Sequence, residues 1–146
     1  MKKPANTWLE VKPSRLPGAG MGLFAKRSFK RGQRITEYKG RLRKWKDAAP
    51  EDGTNAYLIR VNRFWAIDAL PATLTFGRYA NDAAGTPGKS RSENNAIYVT
   101  EGVRCFLEAD KDIQPGDEIL VDYGIEFWDL HATGRNTAAP KQRRSC

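Results

Sequence analysis

The sequence predicts a mostly β domain made of several short strands, and three observations carry that reading. Apolar residues recur in short stretches that alternate with polar ones, the period of a half-buried strand. Clusters of Gly, Pro, Asn or Asp punctuate these stretches. Helical spacing is confined to two short segments, residues 42–49 and 73–81. At 146 residues, 40% of them hydrophobic and 10% aromatic, the chain suits one domain with one packed core.

In chain order, a first strand is expected over residues 8–11, ended by Pro13 and Pro17-Gly18. A second runs over 22–29 and a third over 34–42. Residues 56–61 and 64–67 form two strands joined tightly through Asn62 and Arg63. Three more follow over 96–100, 103–109 and 118–123. Two segments look alike. Residues 25–35, AKRSFKRGQRI, and 109–119, ADKDIQPGDEI, each leave a strand, place an apolar anchor, turn at a glycine and enter a new strand. Glycine supplies the positive φ such a turn can require, so a shared local turn is inferred. Residues 85–92 are rich in turn formers and mark an exposed loop. Residues 132–146 carry no apolar periodicity.

The formal net charge is +8, which suits an acidic partner such as nucleic acid and also favours solubility. No apolar run approaches the ~20 residues that span a bilayer, and the basic start leads into no signal-peptide core. A soluble intracellular protein, cytoplasmic or associated with nucleus or nucleoid, is expected, with no membrane partner. Cys105 and Cys146 supply neither a disulfide framework nor zinc-ligand spacing. His131 is the lone histidine, which argues against His-dependent hydrolysis or a His-metal centre; no metal is expected.

Three segments could carry chemistry. Gly18, Gly20 and Gly22 alternate with Ala19 and Met21, which lets a ligand approach the backbone closely or simply marks a turn. A dinucleotide site would need a long helix next, yet Leu23-Phe24-Ala25 continues as a strand. Arg78-Tyr79-Ala80-Asn81-Asp82 reads by itself as a polar helix end, capped by Asn81 or Asp82. Val121-Asp122-Tyr123-Gly124 ends a strand on a tyrosine, by itself an ordinary half-buried aromatic.

Taken in this order, with Asn94-Asn95-Ala96-Ile97-Tyr98 between them, the segments resemble the SET domain, the fold of lysine methyltransferases that use S-adenosylmethionine. The resemblance covers residues 8–128, leaving an extension at 1–7 and a basic tail at 129–146. Lacking cysteine-rich zinc modules, the chain is similar to the minimal bacterial or viral type. The resemblance implies several small curved sheets, short helices and a C-terminal pseudoknot. It implies that Ala19, Gly20, Met21, Gly22, Arg78, Asn81 and Asp82 bind the cofactor, with Trp128 stacking on its adenine. Asp82 departs from the family pattern, which has histidine there. Tyr123 becomes the catalytic tyrosine, and Tyr38, Tyr98, Tyr57 and Phe127 line the substrate lysine's channel. Trp65 and Asp68 are structural parts of the central hairpin.

The function implied is transfer of a methyl group from S-adenosylmethionine to a protein lysine, on a histone or another basic protein, and mainly monomethylation. Two other readings stay open: a non-catalytic SET fold holding a peptide or nucleic acid, and a basic β domain that binds nucleic acid. The latter lacks a recognisable RNA-binding or OB motif.

Overall fold

The computed structural model describes residues 8–85 and 93–123. They form three small antiparallel sheets of three strands each. The first joins β1 (Leu9–Pro13), β2 (Met21–Ala25) and β9 (Glu118–Ile119) in the order β1-β2-β9. The second joins β3 (Arg34–Glu37), β8 (Arg104–Ala109) and β7 (Ala96–Glu101), with β8 central. The third places β6 (Trp65–Asp68) between β4 (Arg41–Lys44) and β5 (Leu58–Arg60).

The strand expected over residues 34–42 is two strands in different sheets. The chain breaks at Tyr38-Lys39-Gly40 because Gly40 crosses the backbone of β6 at close range. A Cβ there would lie 2.5 Å from the Asp68 carbonyl oxygen and 2.8 Å from the Ala69 Cα. The helix expected over 42–49 shrinks to α1 (Trp45–Ala48), because Leu42 pairs with Ile67 inside a ladder. The second expected helix is a single tight turn, Gly77–Tyr79.

The two look-alike segments face one another. Gly32 N–H donates to the Ala109 carbonyl at 2.7 Å, and Gly116 N–H donates to the Ala25 carbonyl at 2.8 Å. Between these bonds, Phe29 and Ile113 exchange both backbone hydrogen bonds, at 2.9 and 2.8 Å. The repeat is therefore a local two-fold axis, with fully buried Phe29 and Ile113 on it. Gly32 and Gly116 have φ of 88° and 92°, which L side chains rarely adopt.

One hydrophobic core runs under all three sheets. Leu23, Phe29, Ile59, Leu107, Ile113 and Ile119 lie within it, and all five tyrosines of the chain either belong to it or pack against it. Beside it, the third sheet is tied by charge. Arg43 donates from Nη1 and Nη2 to both Glu51 carboxylate oxygens, at 2.9 and 2.7 Å, and from Nη1 to Asp68 at 3.0 Å. Asn55 Nδ2 also reaches Asp68, at 3.1 Å, and its Oδ1 accepts from the Tyr57 amide at 3.0 Å. The hydrogen bond from Arg43 holds the Glu51 carboxyl at about 2, well below its ordinary 4.5.

Two expectations follow. Gly32→Ala and Gly116→Ala have open space for the added methyl but force it into the left-handed region. Each is expected to cost about 1–2 kcal/mol in denaturant melts, and by similar amounts, since the two turns are equivalent. Glu51 has its pKa depressed by folding, so its contribution to stability is complete above pH 4.5 and declines as pH falls toward about 2. The urea-midpoint difference between wild type and Glu51→Gln should be largest above pH 4.5 and close toward pH 2.

Candidate functional site

The segment 118–123 is clamped on both edges. On one side the Val121 amide donates to the Asn81 carbonyl at 2.8 Å. On the other, Asn95 and Ala96 amides both donate to the Leu120 carbonyl, at 2.9 and 3.0 Å, and the Asp122 amide donates to the Ala96 carbonyl at 3.3 Å. Asn95 adds its side chain: Oδ1 accepts from the Leu120 amide at 2.8 Å and Nδ2 donates to the Glu118 carbonyl at 3.0 Å. The crossing implied for the C-terminal end is this arrangement, in which two parallel bridges hold one strand end between segments separated in sequence.

Asp82 closes the clamp. It is 4% exposed. Its Oδ2 accepts from the Tyr123 amide at 2.9 Å, while Oδ1 accepts from the Ala84 amide at 2.9 Å and Asn94 Nδ2 at 2.8 Å. Three donors around a buried carboxylate satisfy the charge that burial would otherwise penalise. Asn94 Oδ1 accepts from the Ala83 amide at 2.9 Å, so Asp82 and Asn94 lock one another. The residue that departs from the family pattern thus fixes the backbone at Tyr123.

Tyr123 itself is 3% exposed, and its hydroxyl donates to the Ala80 carbonyl at 2.8 Å. That bond uses the proton and leaves the oxygen's lone pairs on a fixed atom. Tyr38 is fully buried and donates to the Tyr57 carbonyl at 2.8 Å, with the Tyr98 ring edge-on at 6.0 Å between centroids. Gly77 allows the 77–79 turn to press on Tyr38: a Cβ there would lie 3.0 Å from the Tyr38 Cα. Outside Tyr38, a groove of about 310 Å³ is walled by Lys39, Gly40, Leu42, Ile67, Val103 and the Glu37–Arg104 ion pair.

The glycine segment lies against the same turn. Strand β2 packs on Gly77–Tyr79, and Asn81 Nδ2 donates to the Met21 carbonyl at 3.0 Å. Gly18 and Gly20 have φ of 77° and 71°, with open space where side chains would stand. Ala19 is half-buried. Gly22 differs: the Glu118 carboxylate occupies the place of its missing side chain. That carboxylate accepts from the Ser14 hydroxyl at 2.6 Å and the Arg15 amide at 2.9 Å, which fastens the loop before β2.

Arg78 carries the clearest sign of a missing partner. Its side chain is buried, with the guanidinium 3.9 Å from the Tyr57 ring centroid and 5.2 Å from that of Tyr79. Its Nε has no hydrogen-bond partner among the described residues. A buried donor left unpaired costs about 1–3 kcal/mol, so an acceptor from a ligand would relieve it.

The structure therefore brings Met21, Arg78, Asn81, Asp82 and Tyr123 around one turn, with Ala19 and Gly20 in the segment leading into Met21 and with Tyr38, Tyr57 and Tyr98 beneath. Phe127 and Trp128 lie outside the described residues. Sequence reasoning missed the Ala80 and Tyr57 carbonyls that receive the tyrosine hydroxyls, and the Ser14–Glu118 bond. Backbone acceptors leave no mark on a sequence.

Asp82→Asn tests the clamp. An amide has one acceptor oxygen where Asp82 uses two, so its NH2 must face a donor. A loss of about 1–3 kcal/mol in denaturant melts is expected, with faster amide exchange at Tyr123. An unchanged exchange rate would contradict this role.

Comparison with known proteins agrees with this geometry. Residues 20–124 match the SET domain family. The N-lysine methyltransferase KMT5A of Xenopus tropicalis is 31% identical over 125 residues, covering 78% of this chain and 36% of that protein. The histone-lysine N-methyltransferase ASHH1 of Arabidopsis thaliana is 30% identical over 128 residues, covering 83% of this chain and 25% of that protein. The chain thus spans about a third of the length of the first of these curated relatives and a quarter of the second. The methyltransferase domain of human PR domain-containing protein 2 shares the fold, with a TM-score of 0.63 at 23% identity, covering 81% of this chain and 78% of that one.

Proposed function

The chain belongs to the SET-domain family, and from that premise we propose that it is a protein-lysine N-methyltransferase. The observation that carries the proposal is the double fixation of Tyr123, by its amide on Asp82 and its hydroxyl on Ala80. Together these bonds fix both the backbone and the hydroxyl oxygen of the tyrosine that the family resemblance assigns to catalysis.

SET methyltransferases use S-adenosylmethionine, and the residues present fit it. The backbone of Gly18, Ala19 and Gly20, the buried Arg78 with its Nε unpaired among the described residues, and Asn81 on the Met21 carbonyl would hold the amino-acid end, with Arg78 toward a carboxylate. Trp128 is proposed to cover the adenine. When bound, this donor supplies an electrophilic methyl that a neutral amine takes in one displacement, leaving a neutral thioether.

The protein's share is positioning. Aligning amine and methyl is worth up to ~7–11 kcal/mol by effective-molarity arguments. The Tyr123 oxygen, its proton committed to Ala80, would offer its lone pairs to the electron-poor methyl of a bound donor through weak C–H···O contacts. The substrate lysine must first lose its proton to solvent, from a free pKa of about 10.4, and an aromatic channel disfavours the ammonium form. Tyr38, Tyr98 and Tyr57, with Phe127, are proposed as the walls of that channel. Three tyrosine hydroxyls crowding the end of that channel would favour monomethyl product.

The substrate proposed is an extended peptide of a histone or another basic protein. A histone substrate suits relatives such as the histone-lysine N-methyltransferase ASHH1.

Calorimetry with S-adenosylmethionine, then transfer of labelled methyl to a histone mixture and a whole-cell extract, tests the proposal. Binding and labelled lysine are expected; binding without transfer would favour the non-catalytic reading, and no binding would sink both enzyme and cofactor. Tyr123→Phe should keep the fold and lower turnover on the order of 10²–10³-fold, the scale for losing one positioned polar group. Product mass at matched turnover reports the degree of methylation.

A further inference from the structure

The β4–α1 corner and the turn between β5 and β6 build a second surface at the opposite end of the third sheet from Tyr57. Lys44 pairs with Trp65 at that end of the ladder, and Arg41 pairs with Asp68 at the other. The rise along β6 separates the two ends by about 10 Å. The surface contains a groove of about 430 Å³ lined by Lys44, Trp45, Lys46, Arg63, Phe64 and Trp65.

Its chemistry is cationic and aromatic at once. Phe64 is 66% exposed, the most of any large hydrophobic residue described. Lys44, Lys46, Arg60 and Arg63 form no ion pair among the described residues. Asp47 is the single acid within residues 44–48 and 60–65. The Arg60 guanidinium lies 4.7 Å from the Trp45 ring centroid, and that of Arg63 lies 5.8 Å from Phe64.

The platform is rigid before any partner arrives. Asn62 Oδ1 accepts from both the Phe64 and Trp65 amides at 2.9 Å. Arg60 donates to the Asn62 and Arg63 carbonyls at 3.1 and 3.0 Å, and the Trp45 amide donates to the Phe64 carbonyl at 2.7 Å. Trp45 is anchored against Ala48, Leu58 and Ala66. The backbone that carries the exposed Phe64 ring is thus fixed before any partner binds.

We propose that this groove binds single-stranded nucleic acid, with a base stacked on Phe64 and phosphates met by Lys44, Lys46 and Arg63. Unpaired cations beside an exposed ring are what a single strand needs: charge along the backbone and an aromatic face for a base. A duplex keeps its bases stacked internally and gives Phe64 nothing to cover. An acidic peptide would use the cations and leave the ring in water. A membrane would meet a protruding apolar ridge better than a concave groove. The site is separate from Tyr123 and does not depend on methyl transfer.

The test is fluorescence anisotropy with a labelled oligothymidylate of about 12 nucleotides, on the full chain without methyl donor, from about 50 to 200 mM salt. The same strand annealed to its complement, polyglutamate, and vesicles containing phosphatidylserine serve as competitors. Single-strand binding is expected to exceed that of the duplex. Phe64→Ala should weaken it roughly 10- to 100-fold with the salt slope unchanged, and Phe64→Trp should retain it. The triple variant Lys44→Ala, Lys46→Ala, Arg63→Ala should flatten the slope by about 2, near 0.7 per lost contact. Circular dichroism confirms that each variant folds. Wild-type affinity in Phe64→Ala, equal affinity for duplex, or displacement by polyglutamate or vesicles at lower concentration would each overturn the proposal.

Discussion

The site depends on one buried carboxylate. Asp82 accepts from the Tyr123 and Ala84 amides and from the Asn94 side chain, and so joins three stretches of chain that are distant in sequence. Without it the Tyr123 amide would be a buried donor with no acceptor on Asp82, and the end of segment 118–123 would lose its last fixed point. With it, both edges of that segment are hydrogen-bonded as far as Tyr123. The position is occupied by histidine in the family pattern. An acidic residue serves here because it accepts from three donors at once, which a neutral imidazole with one acceptor nitrogen cannot do.

The two-fold pairing of the 25–33 and 109–117 turns sets where that segment begins. Gly116 on Ala25 fixes the entry to β9, and Gly32 on Ala109 fixes the entry to β3. Strand β9 therefore lies beside β2, which carries the glycine segment, while β3 leads directly to Tyr38. The glycine segment and the tyrosine cluster meet because the same symmetric contact launches both. Glu118 strengthens the first of these launches by gripping Ser14 and Arg15 across the space that Gly22 leaves empty.

Charge reaches the tyrosines indirectly. Arg43 gathers Glu51 and Asp68, Asn55 joins that pair to the Tyr57 amide, and the Tyr57 carbonyl holds the Tyr38 hydroxyl. The third sheet thus orients the floor of the site at one end, while its other end presents cations that form no ion pair among the described residues. The +8 charge of the chain is not uniform in use: some of it is neutralised within such networks, and some lies beside Phe64 with no ion pair among the described residues.

Much of the fold was legible in the chain. Alternation located the strand regions other than β4, most of which was expected as helix, and turn residues located most of the breaks, because strand period and backbone freedom are local properties. The ordered motifs gave the family, and with it Tyr123, Asn81 and the glycine segment as candidate site residues. Local pattern did not reveal that residues 34–42 divide between two sheets, since the cause is the approach of Gly40 to the β6 backbone across space. Nor did it reveal that the two similar turns bind each other, or that Asp82 serves Tyr123, because each bond joins residues dozens of positions apart. The groove at Phe64 was hidden for the same reason: Lys44, Lys46 and Arg63 are ordinary scattered cations until β4 and β6 pair. Sequence by itself determined which residue types stood ready for chemistry. Tertiary structure decided which of them meet, because hydrogen bonds and ring contacts are fixed by distance in space and not by separation along the chain.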